Sequence, residues 1–190
     1  MKFVPLFIFL FVLSPLNALA NPQVKTYTRY YTIEGDDIET LRKEMSEKGP
    51  VDKRTKKRMW AYTKWNVNWN IAFNEQASFC RLKRTDVSVK ILYIMPRWVN
   101  RDSADPELVK KWDAYYEKLM EHERQHAKHG KDAGRNIIKT FKGMPKMKKC
   151  SSIKRSASKA AGEIIDFYAK RDIIFDQETN HGISDGVVLK

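Results

Sequence analysis

Residues 105–130 have the sequence DPELVKKWDAYYEKLMEHERQHAKHG, which predicts the central helix of the fold. Asp105 is a suitable N-cap, Pro106 suits the first helical position, and Gly130 predicts a stop or bend after His129. One stripe, spaced by fours and threes, contains Leu108, Trp112, Tyr115, Leu119, His122 and His126. Such a stripe faces the protein interior, so we expect the helix to pack on other elements through it.

Two strands are predicted before this helix. Residues 64–73, KWNVNWNIAF, alternate large apolar side chains with Lys, Asn and Ala, which is the period of a half-buried strand. Residues 87–95 follow a polar turn region, so the two segments predict an antiparallel pair. We interpret the aromatic stripe of the first segment as core; a carbohydrate or peptide platform is the alternative.

The flanking segments complete an α+β pattern. Residues 24–33, VKTYTRYYTI, predict a strand, and Asp37 can cap a helix over 38–47. A further helix is predicted over 156–171, and an irregular tail over 172–190. We therefore predict a small antiparallel β-sheet packed on one face by helices, with the central helix at 105–129.

The N terminus predicts export. Residues 1–20, MKFVPLFIFLFVLSPLNALA, combine Lys2, an apolar run and an A-x-A site, as in a secretory signal peptide; an uncleaved anchor is the alternative. Residues 21–190 suit one domain, and no later stretch is apolar enough to span a bilayer. We predict a secreted or periplasmic protein. In an oxidising compartment Cys80 and Cys150 are expected to form a disulfide, the alternative being two buried thiols.

Residues 122–126, HERQH, form an H-E-x-x-H motif on the inward stripe. Two imidazoles four residues apart on a helix project from the same face and can bind one Zn²⁺, so His122 and His126 are predicted ligands. Glu123 lies one step round the helix, where it can act as general base toward a water molecule. A structural pair of histidines is the alternative.

Several residues are candidates for the third zinc ligand. His129 continues the stripe, but three ligands within two turns of one straight helix strain a tetrahedral site. Downstream candidates are Glu163, Asp166, Asp176 and His181. We prefer His181. Three of the four histidines of the chain lie on the predicted central helix, and His181 is the fourth, in the segment 175–182. Asp176 is an alternative ligand or a residue that orients an imidazole, and Glu163 would give a His-His-Glu set.

These segments resemble the DUF922 family of bacterial proteins. The resemblance rests on the signal peptide, on HERQHAKHG at 122–130 and on FDQETNHGISDG at 175–186. The family motifs are H-E-x-x-H and a downstream aromatic-D-x-x-T-x-H-G, and the latter is matched by Phe175, Asp176, Thr179, His181 and Gly182. Where many members have Gln-Gly shortly afterwards, this chain has Asp185-Gly186. The resemblance covers most of the chain after the signal peptide and implies a secreted zinc-dependent protease.

The charge of the chain supports a second hypothesis. The formal net charge is +13, with basic clusters KRTKKR at 53–58 and KMKK at 146–149. Our leading hypothesis is a zinc metallopeptidase that acts on proteins or peptides. The alternative is a basic envelope protein that binds anionic polymers or lipids, with the metal structural or absent. Export argues against nucleic acid as the partner.

Overall fold

The computed structural model describes residues 21–190, and this part of the chain is α+β, as the sequence predicts. The predicted signal peptide, residues 1–20, lies outside the described residues. The elements in chain order are β1 (Gln23–Ile33), α1 (Ile38–Lys48), β2 (Tyr62–Glu75), β3 (Cys80–Trp98), α2 (Pro106–Lys142) and α3 (Cys150–Glu178). Among the helices in this range, none combines the length and the apolar character needed to cross a membrane.

The three strands form a mixed sheet in the order β1-β3-β2. The predicted antiparallel pairing of β2 with β3 is confirmed, and a tight turn joins these two strands. The prediction of a wholly antiparallel sheet is wrong, because β1 runs parallel to β3. The reason lies in the connection: β1 ends beside Trp98, and β2 starts at the same end, with Tyr62 opposite Ile94. Since β2 runs back along the sheet and β3 reverses direction after the turn, β3 runs in the same direction as β1.

The helix α2 packs on one face of the sheet through its predicted stripe. The apolar members of the stripe and both histidines are buried. Alternate side chains of β3 form the opposing layer of the core: Val87, Val89, Ile91, Tyr93 and Met95. Trp65 and Trp69 of β2 also pack against this core, and the rings of Trp69 and Phe141 lie 6.3 Å apart edge to face. The core interpretation of the aromatic stripe is thus confirmed.

The predicted end of α2 at Gly130 is wrong, since the helix continues to Lys142. A Cβ atom on Gly130 would lie 2.6 Å from Cγ of Trp65, closer than real Cβ contacts allow. One turn later, a Cβ atom on Gly134 would lie 2.7 Å from Val89. These glycines therefore allow α2 to approach the sheet closely, and they do not end the helix.

The helix α3 is longer than predicted at both ends. It begins at Cys150 and runs to Glu178, so residues 172–178, predicted to be irregular, are its last turns. The chain leaves the helix where Asn180 and His181 adopt positive φ angles of 48° and 54°, followed by Gly182 at 85°. This extension places Asp172 and Asp176 on α3, one turn apart.

The predicted disulfide between Cys80 and Cys150 is confirmed. Their Cα atoms lie 5.2 Å apart, and the bridge spans 70 residues of sequence. It joins the first residue of β3 to the first residue of α3. The bond is consistent with an oxidising, extracytoplasmic compartment.

Candidate metal centre

Three side chains from α2 and α3 place their donor atoms in a small triangle. Nε2 of His122 lies 3.3 Å from Nε2 of His126. Oδ1 of Asp176 lies 3.3 Å from the first nitrogen and 3.1 Å from the second. Both histidines are buried, because they lie on the inward stripe of α2, and α3 supplies the carboxylate from the other side.

The size and chemistry of this triangle fit one small metal ion. In a tetrahedral zinc site with bonds of 2.0–2.1 Å, neighbouring donor atoms are about 3.3–3.4 Å apart. The three separations here are 3.1–3.3 Å. Two imidazole nitrogens and one carboxylate oxygen are a donor set that zinc and related transition metals accept. The three residues can therefore hold such an ion, and a three-residue set leaves a position open for water or substrate.

Asp172 orients the imidazole of His126 from outside the triangle. Its Oδ1 lies 3.0 Å from Nδ1 of His126 and 2.6 Å from Nδ1 of His129, and its Oδ2 accepts a hydrogen bond of 2.6 Å from the indole of Trp65. A proton on Nδ1 of His126 leaves the lone pair of Nε2 free for a metal. Sequence reasoning missed Asp172, although its spacing of four from Asp176 repeats the spacing of the two histidines.

Protonation of the site reflects its carboxylates. Burial lowers the pKa of His126, but hydrogen bonds to Asp172 and Asp176 outweigh this effect and raise the pKa to about 10. Burial acts to raise the pKa of Asp176, yet hydrogen bonds from the two imidazoles hold it well below its usual range. Without a metal, an imidazolium therefore balances the carboxylate. A divalent cation bound in the triangle would place positive charge at the same position.

Glu123 lies buried beside the triangle, with 4 % of its surface exposed. The hydroxyl of Thr63 on β2 donates to its Oε2 at 2.5 Å. Burial raises the pKa of Glu123, against the lowering effect of His126 and of the Thr63 hydrogen bond. A carboxylate with a raised pKa in a buried position is suited to accepting a proton during catalysis.

The other predicted ligand candidates lie around or away from the triangle. His129 contacts Asp172 through Nδ1 at 2.6 Å. His181, half exposed, has its Nδ1 3.9 Å from Oδ1 of Asp176, so its role as third ligand stays a prediction. Glu163 lies 3.9 Å from Lys159 on the exposed side of α3, and Asp166 is also exposed. Neither of these two carboxylates lines the cleft described next.

A cleft of about 620 Å³ opens above the triangle. Its lining includes the side chains of the candidate site: His122, His126, Glu123, Asp172, Asp176 and His181. Residues that precede and begin β2 also line the cleft, as do apolar side chains of α3 and of the C-terminal segment. The candidate metal site thus lies in a space large enough for part of a ligand.

Residues 28–182 match the family model described as "Bacterial protein of unknown function (DUF922)". The chain belongs to the DUF922 family. The predicted resemblance is therefore confirmed over most of the described residues. No curated protein and no solved structure matches this DUF922 chain.

Three further positions of the second DUF922 motif, Phe175, Thr179 and Gly182, have a structural explanation. The ring of Phe175 stacks on His122, with centroids 4.7 Å apart. Thr179 donates to the carbonyl of Phe175 at 2.8 Å and accepts from the backbone N–H of Gly182 at 3.1 Å. Gly182 has φ 85°, and a Cβ atom there would lie 2.6 Å from Val187 and 3.1 Å from Nδ1 of His122. The motif thus packs the end of α3 against the first histidine.

Proposed function

We propose that this DUF922 protein is a zinc-dependent peptidase whose ion is held by His122, His126 and Asp176. The observation that carries the proposal is the donor triangle, with sides of 3.1–3.3 Å, next to the buried carboxylate of Glu123. In a merely structural zinc site the protein usually supplies all four ligands. A three-donor site in an open cleft, with an acid–base group beside it, is typical of a catalytic zinc site.

The residues of the chain then have distinct roles. When bound, zinc supplies Lewis-acid activation of water and polarisation of a carbonyl group. Glu123 accepts the proton of the attacking water and returns it to the leaving amine, and the hydrogen bond from Thr63 keeps its carboxylate in place. Asp172 keeps the proton of His126 on Nδ1, so that Nε2 stays available to the ion.

Tyr62 is the proposed hydrogen-bond donor to the oxyanion. It lines the cleft at the beginning of β2. Burial raises its pKa, and the negative charges of Asp52, Asp172 and Asp176 raise it further. The phenol therefore keeps its proton at neutral pH and can donate it in a hydrogen bond to a developing negative charge.

The path of β2 along the cleft favours a peptide as substrate. The first four residues of β2, residues 62–65, all line the cleft. Successive residues of a strand face opposite sides of the sheet, so an unbroken run indicates that the cleft follows the edge of β2. Within residues 21–190, β2 pairs only with β3, which leaves its other edge unpaired. An extended peptide can add to such an edge through backbone hydrogen bonds.

Glu123→Gln tests the proposal, because the substitution removes the base and keeps the size of the side chain. We expect the zinc-loaded variant to keep its fold and its metal but to lose hydrolysis of an unfolded protein substrate by about 10²–10⁴-fold. Tyr62→Phe should lower kcat and leave the metal content unchanged. Lys110→Gln, a change of an exposed residue outside the cleft, is the control.

Wild-type hydrolysis that survives in Glu123→Gln would contradict the role of Glu123. Absence of hydrolysis across a broad panel of unfolded substrates, with zinc bound, would contradict the peptidase. The alternative hypothesis of a basic binding protein predicts this second result.

A further inference from the structure

The lining of the cleft combines a group of carboxylates with a group of basic residues. The part formed by α2 and α3 contains the carboxylates of Glu123, Asp172 and Asp176. Another part contains four basic residues that precede or begin β2: Arg54, Lys57, Arg58 and Lys64. We call these four residues the basic wall. All four are exposed, so their charges are accessible to a ligand in the cleft.

The carboxylates of the cleft are occupied by contacts within the protein. Asp172 and Asp176 accept from the imidazoles, and Glu123 accepts from Thr63. Asp52 accepts from the backbone of Arg54 at 2.8 Å and lies 3.7 Å from its guanidinium. Apart from Asp52 beside Arg54, none of these carboxylates forms an ion pair with the basic wall within residues 21–190.

Most of the basic wall has no such partner. Within residues 21–190, Lys57 and Lys64 form no ion pair, and Arg58 donates to the carbonyl of Gly49 at 2.8 Å. By contrast, lysines on the helices pair with carboxylates one turn away, for example Lys118 with Glu121 at 2.8 Å. Three cations in the lining of a substrate cleft are thus available to an anionic ligand.

The segment that carries the basic wall has a defined backbone. The backbone N–H of Asp52 donates to Lys57 at 2.9 Å, that of Lys56 donates to Asp52 at 2.8 Å, and that of Met59 donates to Pro50 at 2.9 Å. Lys56 occupies the left-handed region with φ 61°, as in a tight turn. This hydrogen-bonded turn fixes the position of Lys57 and Arg58 beside the start of β2. Charges held in place lose less entropy on binding than charges on a mobile loop.

We propose that the cleft selects peptides that carry Asp or Glu side chains in the segment lying against the basic wall. This inference rests on the proposed function, since it names the substrate class of the same site. The free edge of β2 suits an extended peptide backbone, and the wall supplies charge for its acidic side chains. Apolar residues such as Trp60 and Ile173 line the space between, which favours a peptide over a purely ionic polymer.

The test measures binding of fluorescent peptides to metal-loaded Glu123→Gln protein at low salt, so that no peptide is cleaved. Three peptides of equal length, all with amidated C termini, carry Glu, Gln or Lys at the same positions. We expect the Glu peptide to bind about tenfold more tightly than the Gln peptide, because two or more exposed ion pairs form. This advantage should decrease as salt rises.

Matched lysine variants locate the effect. Lys57→Gln combined with Lys64→Gln should remove most of the preference for Glu over Gln. Lys83→Gln combined with Lys110→Gln removes the same charge from exposed positions outside the cleft and should leave the preference unchanged. Equal affinity for the Glu and Gln peptides would overturn the inference, and so would an equal loss in both double variants.

Two further results separate this inference from the proposed function. If wild-type protein binds the Glu peptide through Lys57 and Lys64 but cleaves no peptide, the peptidase is contradicted and the acidic-peptide site is supported. If it cleaves Glu and Gln peptides with equal kcat/KM, the peptidase stands and the acidic preference is overturned. Binding to phosphatidylglycerol vesicles that depends on Lys57 and Lys64, without a peptide preference, would also overturn it and would favour a lipid surface.

Discussion

Asp172 and Asp176 lie one turn apart on α3 and face two histidines that lie one turn apart on α2. The two carboxylates contact different atoms: Asp176 approaches the Nε2 atoms, and Asp172 approaches Nδ1 of His126 and of His129. Only the first contact lies in the donor triangle. The second sets the tautomer of His126, and therefore the availability of its donor nitrogen.

Asp172→Asn tests this division at the scale of a single residue. The amide lacks the negative charge that orients His126, so zinc affinity should fall about 10–100-fold while the site still fills at high zinc concentration. Competition with a metal chelator measures the affinity. Asp166→Asn, on the exposed face of the same helix, is the control and should have no effect. Unchanged zinc affinity in Asp172→Asn would contradict the orienting role.

The candidate site could be predicted in part, because two of its three proposed ligands lie close together in the sequence on one helix. The four-residue spacing of His122 and His126, on an apolar stripe, predicts both their helix and their inward direction. The partners on α3 come from the packing of two helices, and no short-range pattern specifies that packing. Asp172 in particular escapes prediction because the predicted helix ends at Arg171, although no Gly or Pro occurs between Arg171 and Gly182.

At the scale of elements, the approach of α2 to the sheet depends on Gly130. This helix carries both histidines and Glu123, and the indole of Trp65 both touches Gly130 and donates to Asp172. A side chain at position 130 would push the helix and the indole apart. Helix, sheet and candidate site are therefore coupled through one close contact.

Gly130→Ala should destabilise the protein even though alanine has the higher helix propensity. The added Cβ would lie 2.6–3.0 Å from three atoms of Trp65, and such overpacking costs about 1–3 kcal/mol. Gly162→Ala is the matched control, since nothing lies within 4 Å of a Cβ at that position of α3, and it should stabilise by about 1 kcal/mol. Urea unfolding measures both. Equal effects of the two substitutions would contradict the close-contact explanation.

The elements themselves differ in how far the sequence predicts them. The β2–β3 hairpin follows from two alternating runs separated by a short polar segment, which is a local signal. The pairing of β1 joins residues more than sixty positions apart, such as Gln23 with Ser88, and nothing in its own sequence specifies a parallel neighbour. Its direction therefore emerges only from the assembled sheet.

At the scale of the whole molecule, the disulfide connects the sheet to the helix that carries the two aspartates. Cys80 begins β3 and Cys150 begins α3, and backbone hydrogen bonds of 2.6 and 2.9 Å join Cys80 to Met147 beside the bridge. The bond thereby restricts the position of the N-terminal end of α3 relative to the sheet.

Replacing both cysteines with alanine should lower the free energy of unfolding by roughly 4 kcal/mol, because the bridge closes a loop of about 70 residues in the unfolded chain. Thermal and urea unfolding of the oxidised wild type and the double variant measure the difference. Dithiothreitol should reduce the stability of the wild type and leave that of the variant unchanged. A variant as stable as the oxidised wild type would contradict a stabilising role for the bond.

Zinc stoichiometry of the purified mature protein tests the central claim most directly. The account predicts one zinc per chain after loading and dialysis, with tight binding lost in His122→Ala, His126→Ala and Asp176→Ala while circular dichroism stays unchanged. His181→Ala separates the two candidate third ligands and should keep its zinc if Asp176 completes the triangle. Full zinc retention in a folded double variant of His122 and His126, or no zinc in the loaded wild type, would contradict the account.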